Sequence, residues 1–422
     1  MQARRLVVRR AELESARRGA WRRHAPRGLL LSSTLTVLLS ACGGDGGSPG
    51  GGDGDAGSGD PLPARFAAVA DWAQGTLSLV DYDALLAQDA TRASATVRTV
   101  DLSAYPPGPI DVAITPDRKQ ALVSCSSNFF VPPAASFLLG SSLPAGRGGL
   151  VLVDLEGAKV VKEIGMISNP TAIAFTEGGK RAVVVGFGSG QLGAPGSLEL
   201  VDLERQEVVE SVPVGTFPEE LALDDTGQVG LFSFGTAGQL RAFLPSDPSQ
   251  LSPEISLPGD TAGIAFFPGT KTAFAIQAVD ILGSLSGGSS NGGYTIVDVS
   301  DPKAPVVTDD VRLDESPIGY PVTPAPNRGT VLTAVSVDGR LVVREYGLEN
   351  GKAKLVNSFD LAETADLFAA LSVTYDGDHT ALITWPKNRS VVALDLSDKS
   401  VRTIDWSAPN GAVGPADITL SF

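Results

Sequence analysis

Three carboxylates stand at one place in a repeated pattern. Asp111 in DVAIT, Glu220 in ELALD and Asp417 in DITLS each precede by three residues the last apolar residue of a short run, namely Ile114, Leu223 and Leu420. Carboxylates brought to a common point can trade protons as acid and base, or hold a hard cation such as Ca²⁺ through their oxygens. Other candidates are few. Beyond residue 41 the sequence contains one histidine, His379, so a His-rich metal site is excluded and any Ser-His-Asp triad would have to be built on that residue. His379 lies in the polar turn YDGDH and reads as a solvated surface group. There are two cysteines, Cys42 and Cys125, too few for a disulfide framework. Cys125 ends the run ALVSC with no basic neighbour to lower its pKa, and reads as a small buried residue.

The elements that would position these side chains are short strands. From Thr171 to Gly215 four runs rich in Val, Leu, Ile and Phe, AIAFT, RAVVVGF, SLELVDL and EVVESVPV, are separated by glycine-rich or polar turns, which argues strand over helix. The unit recurs every roughly 40 to 60 residues, the signature of a β-propeller. Aligned ends of the first strand fall at Ile114, Phe175, Leu223, Phe266, Val322 and Val373. The chain opens with RFAAVADW, TLSLVDY and ATVRTVDL, which match the second to fourth strands of a blade, and closes with PADITLSF, a first strand with nothing after it. Joined, they make a further blade, so the expected fold is all-β: a seven-bladed propeller of four-stranded blades, closed by pairing the C-terminal strand with the N-terminal blade. Asp154, Asp202, Asp298 and Asp395 end third strands and should start the turns that follow.

The charge excludes one class of partner. The formal charge is −15, and removing the net +7 of the first 41 residues, nine arginines against Glu12 and Glu14, leaves −22. Such a body repels phosphate backbones, so no nucleic-acid partner is expected. Residues 1–27 are Arg-rich, and Gly28 to Leu39 form an apolar run too short to span a bilayer as a mature helix. It leads into Leu39-Ser40-Ala41-Cys42, which resembles the lipobox of bacterial lipoproteins. That resemblance implies cleavage before Cys42, a lipidated Cys42 as mature N-terminus, and a place in the cell envelope, at the outer membrane or facing the periplasm; several acyl chains anchor far more firmly than one. The expected organisation is a signal peptide at 1–41, a Gly/Asp-rich flexible tether at 42–62, and the propeller at 63–422.

The repeats PDRKQALV, GGKRAVVV and LELVDLERQEVVESVPVG resemble the YVTN type of seven-bladed propeller, and IVDVSDPKAPVV resembles the LVIVD variant. The resemblance implies the fold and leaves function open, since such propellers host binding proteins, dehydrogenase subunits and lactonases. Counting the N-terminal blade as the first, three positions before each aligned residue stand Asp111, Ala172, Glu220, Gly263, Gly319, Ala370 and Asp417, expected to ring the channel mouth, with Ca²⁺ the one cofactor considered and none assigned. The insertions between second and third strands emerge on the same face. In blade two this insertion carries Phe129, Phe130 and Phe137, candidates for a binding surface beside Asp111, Glu220 and Asp417. The expected function is a monomeric, lipid-anchored, non-enzymatic module that binds an envelope protein or a small ligand on the loop face. The alternative is a propeller enzyme, a lactonase-like hydrolase or oxidoreductase subunit, using carboxylates at the channel mouth.

Overall fold

The computed structural model describes residues 61–126, 148–166, 169–188, 195–216, 218–234, 238–278, 292–313, 321–363, 370–408 and 414–422. Cys42 and the segments at 1–41 and 42–60, the aromatic residues Phe129, Phe130 and Phe137, and Gly319 lie outside them.

Seven antiparallel sheets form a ring of blades. The innermost strands are Pro109–Ile114 in blade two, Pro170–Phe175 in three, Pro218–Leu223 in four, Asp260–Phe266 in five, Val322–Ala325 in six and Ser372–Tyr375 in seven. Blade one is made from both ends of the chain: Asp417–Leu420 lies innermost against Phe66–Asp71, with Ala67 opposite Leu420 and Ala70 opposite Asp417. The predicted closure is therefore present. Blade four departs from the plan, because a short strand, Ile255–Ser256, pairs with its third strand beside Asp247–Leu251.

Burial varies with radius, and the residue types follow it. Second strands such as Gln120–Cys125 and Thr380–Trp385 are almost wholly buried and read as continuous apolar runs, while the outer strand Lys159–Ile164 exposes most of its residues. Each sheet packs its face on the next. Leu332, Val343 and Phe359 of blade six meet Tyr375, Ile383 and Trp385 of blade seven, and Leu382, Val391 and Trp406 of blade seven meet Val69, Tyr82 and Ile418 of blade one. That last seam also holds a buried polar centre. Asp71 accepts from Trp406 Nε1 at 2.6 Å and Ser78 Oγ at 2.6 Å, and is paired with Arg92 at 3.1 Å. Burial raises its pKa even so, against the opposing pull of Arg92.

The turns behave as their residues require. Asp202, Asp298 and Asp395 accept from backbone N–H groups two or three residues on, as Asx turns do. Blades six and seven correct the alignment. In blades two and three the first turn is closed by Thr115 N–H to Gln120 O and Thr176 N–H to Arg181 O, whereas blade seven closes with Asp376 N–H to Thr380 O, one residue shorter. Asp376 Oδ1 tightens that turn by accepting from the N–H groups of Asp378, His379 and Thr380. The counterpart of Ile114 is thus Tyr375, not Val373, and Ser372 replaces Ala370 in the ring. In blade six the last pair is Ala325 with Thr330, so Val322 takes the place expected for Gly319.

Candidate functional site: the carboxyl-lined channel cavity

A bulge places the site. The inner strands of blades two, three, four and five each break register near their start, between Pro109 and Asp111, Pro170 and Ile173, Pro218 and Leu221, and Thr261 and Gly263. A bulge adds a residue without a partner and re-aims the side chains beside it. In blades two, three and four it delivers Ile110 and Asp111, Thr171 and Ala172, and Glu219 and Glu220 to the wall of a central cavity of ≈ 350 Å³. Blade one adds Asp417, and blades six and seven add Val322 and Ser372. The three expected carboxylates do meet. Gly263 is not among the lining residues, and among the described lining residues there is no Lys, Arg or His.

Two of the acids also join blades. Asp417 Oδ2 accepts from Val112 N–H of blade two at 3.0 Å, and Asp111 Oδ2 accepts from Ile173 N–H of blade three at 2.7 Å. Hydroxyls on second strands make a companion contact: Ser124 Oγ donates to Thr171 O at 2.8 Å, and Thr384 Oγ1 donates to Ala416 O at 2.9 Å. Blade two therefore grips blade three at both an N–H and a C=O of the same strand. Ser372, which the turn-based alignment missed, bonds the Asp417 carboxyl.

The electrostatics follow from crowding like charges in a partly dehydrated space. Burial, then the charges of Asp417 and Glu220, hold Asp111 well above the ordinary carboxylate range. Burial raises Asp417 too, opposed by its bonds from Ser372 and Val112. Burial and the charge of Asp417 push Glu220 up to about 8. Asp111 and Asp417 are joined by a side-chain hydrogen bond, which requires one of the two to carry a proton. Among the described residues no three His, Cys, Asp or Glu side chains are arranged to hold a metal ion.

Trp72, absent from the sequence-based candidates, also lines the cavity. It follows the strand Phe66–Asp71, donates its indole N–H to Ser126 O at 3.1 Å, and packs with Ile110, Leu371 and Ala416. The chain passes so closely beneath it that a Cβ on Gly108, which has φ +127, would lie 1.9 Å from Trp72 O. A tryptophan placed before an isolated turn gives no periodic signal. The hydroxyls did give one, since Ser124, Ser233 and Thr384 occupy matching second-strand positions.

His379 stands in the first turn of blade seven, at the far end of the strands from the cavity. Its Nδ1 is 2.9 Å from Asp378 and its Nε2 3.2 Å from Asp395. Burial lowers its pKa, but the bond to Asp378 and the charge of Asp395 outweigh that and raise it. Cys125 is fully buried, and burial pushes its thiol up to about 12.

No protein-family model and no curated protein sequence matches the chain. Solved structures do. A functionally unknown protein from Desulfotomaculum acetoxidans aligns at TM-score 0.61 and 18% identity over 85% of this chain and 99% of its own. Hydrazine synthase from Kuenenia stuttgartiensis aligns at 0.54 and 17% over 69% and 77%, and a periplasmic gluconolactonase from Pseudomonas aeruginosa at 0.60 and 10% over 84% and 98%. At such identities the likeness is one of fold: the chain is a seven-bladed β-propeller.

Proposed function

We propose that this protein is a lipid-anchored, extracytoplasmic propeller that binds a small cationic molecule, such as an organic amine, in its central cavity. The carrying observation is the convergence of Asp111, Glu220 and Asp417 on a cavity of ≈ 350 Å³ whose described lining has no basic side chain. An ammonium group entering it offsets the mutual repulsion of the carboxylates and takes the place of their protons, and a concave site with a few convergent polar groups is the usual form of a small-molecule site. Calorimetric titration of the full mature protein with primary amines, neutral sugars and carboxylates tests this. Amines should bind with proton release, and Asp111→Asn with Glu220→Gln should abolish the heat. Equal heats from sugars, or amine binding unchanged in the double variant, would overturn it.

The anchoring rests on Leu39-Ser40-Ala41-Cys42 and the apolar run before it. Expressed in a Gram-negative host with an alkyne-tagged fatty acid, the full chain should take up label, and Cys42→Ala should not. The protein then acts as a monomer at the envelope, displaying the loop face to ligand or partner.

A catalytic reading has two points in its favour. Glu220, pushed up to about 8, has the pKa of a general acid–base at neutral pH, and two structural neighbours are named as a gluconolactonase and a putative 6-phosphogluconolactonase. Lactone turnover lost in Glu220→Gln would favour it over simple binding.

A further inference from the structure

We infer that the Asp111–Asp417 pair is a proton-held latch on the C-terminal strand: the shared proton keeps Asp417–Leu420 seated in the ring, and losing it loosens that strand. This role does not depend on which ligand the cavity takes.

Besides that pair, the strand is held by Ile418, buried in the seam between blades seven and one, and by Thr384 Oγ1, which donates to Ala416 O at 2.9 Å. It is four residues long and pairs along one edge, with Phe66–Asp71. Its flanks are tied by Ala416 N–H to Ala70 O, Ser421 N–H to Phe66 O, and Phe66 N–H to Ser421 Oγ at 3.1 Å. Toward the channel its side-chain ties are made by Asp417, to Val112 N–H, to Ser372 and to Asp111. With one proton between them, Asp111 and Asp417 attract; with none, two carboxylates repel across the seam where the ring closes.

Among the described residues the elements packed on the pair bring no cation to relieve that repulsion. The elements packed on the pair bring Asp71, turned to Arg92, Ser78 and Trp406, then Cys125 with its buried thiol, and Tyr375 at the distant end of its strand. The strands Pro170–Phe175 and Thr380–Trp385 bring no charged side chain, and Pro218–Leu223 brings Glu219 and Glu220, the latter raising Asp111 further when it is charged. The sign is that of acids raised on folding: the contribution is complete at low pH and is lost as pH rises through the folded-state values. The directions for Asp111, Asp417 and Glu220 all agree with it.

Hydrogen exchange on the full ligand-free protein tests the latch, with amide protection of Val112, Ile418, Thr419 and Leu420 corrected for intrinsic rates. Between about pH 5.5 and about pH 8.5 the wild type should lose at least about tenfold protection at these sites, the equivalent of one pKa unit, while the strand Arg181–Gly186 stays unchanged. Asp111→Asn, whose amide donates to Asp417 at any pH, should show no such loss. Glu220→Gln should move the loss to lower pH, since Asp111 then ionises more easily. If Asp111→Asn does not fold, the wild-type and Glu220→Gln profiles decide. A wild type with flat protection, an Asp111→Asn protein that loosens like the wild type, or an unmoved profile in Glu220→Gln overturns the latch.

Discussion

Asp417 Oδ2 accepts the backbone N–H of Val112 at 3.0 Å, so a residue six from the C-terminus holds the first inner strand that follows the N-terminal blade. One side chain thus belongs both to the closure of the ring and to the wall of its cavity.

Deleting residues 417–422 removes the innermost strand of blade one, buried Ile418 with it, and Phe422, which with Tyr82 flanks the Arg65 guanidinium at 4.6 and 4.4 Å. Lost burial of one Ile and several ladder bonds costs about 5 kcal/mol and leaves an open strand edge. Chemical denaturation should show that loss or outright aggregation; a truncated protein that unfolds like the parent would show that the closure is dispensable.

Replacing Asp71 by Ala leaves Arg92 and the Trp406 indole N–H without their buried acceptor. Breaking such a centre from one side costs about 3–5 kcal/mol. Urea titration should register it, and Asp71→Asn should recover part of it by still accepting from Trp406. A loss under 1 kcal/mol in both variants, roughly that of an exposed ion pair, would contradict this account.

Cys125 should not react with a thiol reagent in the native state, because burial keeps its thiol protonated and out of reach. Labelling should follow global unfolding in denaturant. Rapid labelling of the folded protein would mean that the seam between blades one and two opens.

Glu220 sets a pH trend for stability. Its pKa rises from the ordinary 4.5 to about 8, so its contribution is fully present below about pH 4.5 and is lost as pH climbs through 8. Thermal melts should therefore give a lower Tm at pH 8.5 than at pH 5.5. Glu220→Gln should flatten that slope, the difference amounting to a few kcal/mol at most because cavity water screens the charge. An identical slope in the variant would remove Glu220 from the cluster.

Much of the architecture was legible because its causes are local. Short apolar runs, turn glycines and the missing inner strand before RFAAVADW dictate blades and their closure; Asp111 and Glu220 could be matched by counting back from turns of equal length, and Asp417 by the match of its strand to the other first strands. The same counting failed in blades six and seven. The turn at Asp376 is one residue shorter than its counterpart in blade two, and composition does not reveal where a turn closes its hydrogen bond. Trp72 was missed because it sits in no motif, and Ser372 because the shorter turn of blade seven displaced the count.

By itself the sequence determined the all-β class, the seven blades, the joining of the two ends and the identity of the three acids, since these depend on short apolar runs and turn chemistry along a few residues. The tertiary structure alone decided that two of those acids bond to neighbouring blades, that Asp111 and Asp417 share a hydrogen bond, and that Trp72 and Ser372 share their cavity. Those facts arise between strands from 62 to more than 300 residues apart in the chain, where distance and dehydration, rather than spacing, set the energy of a carboxyl group.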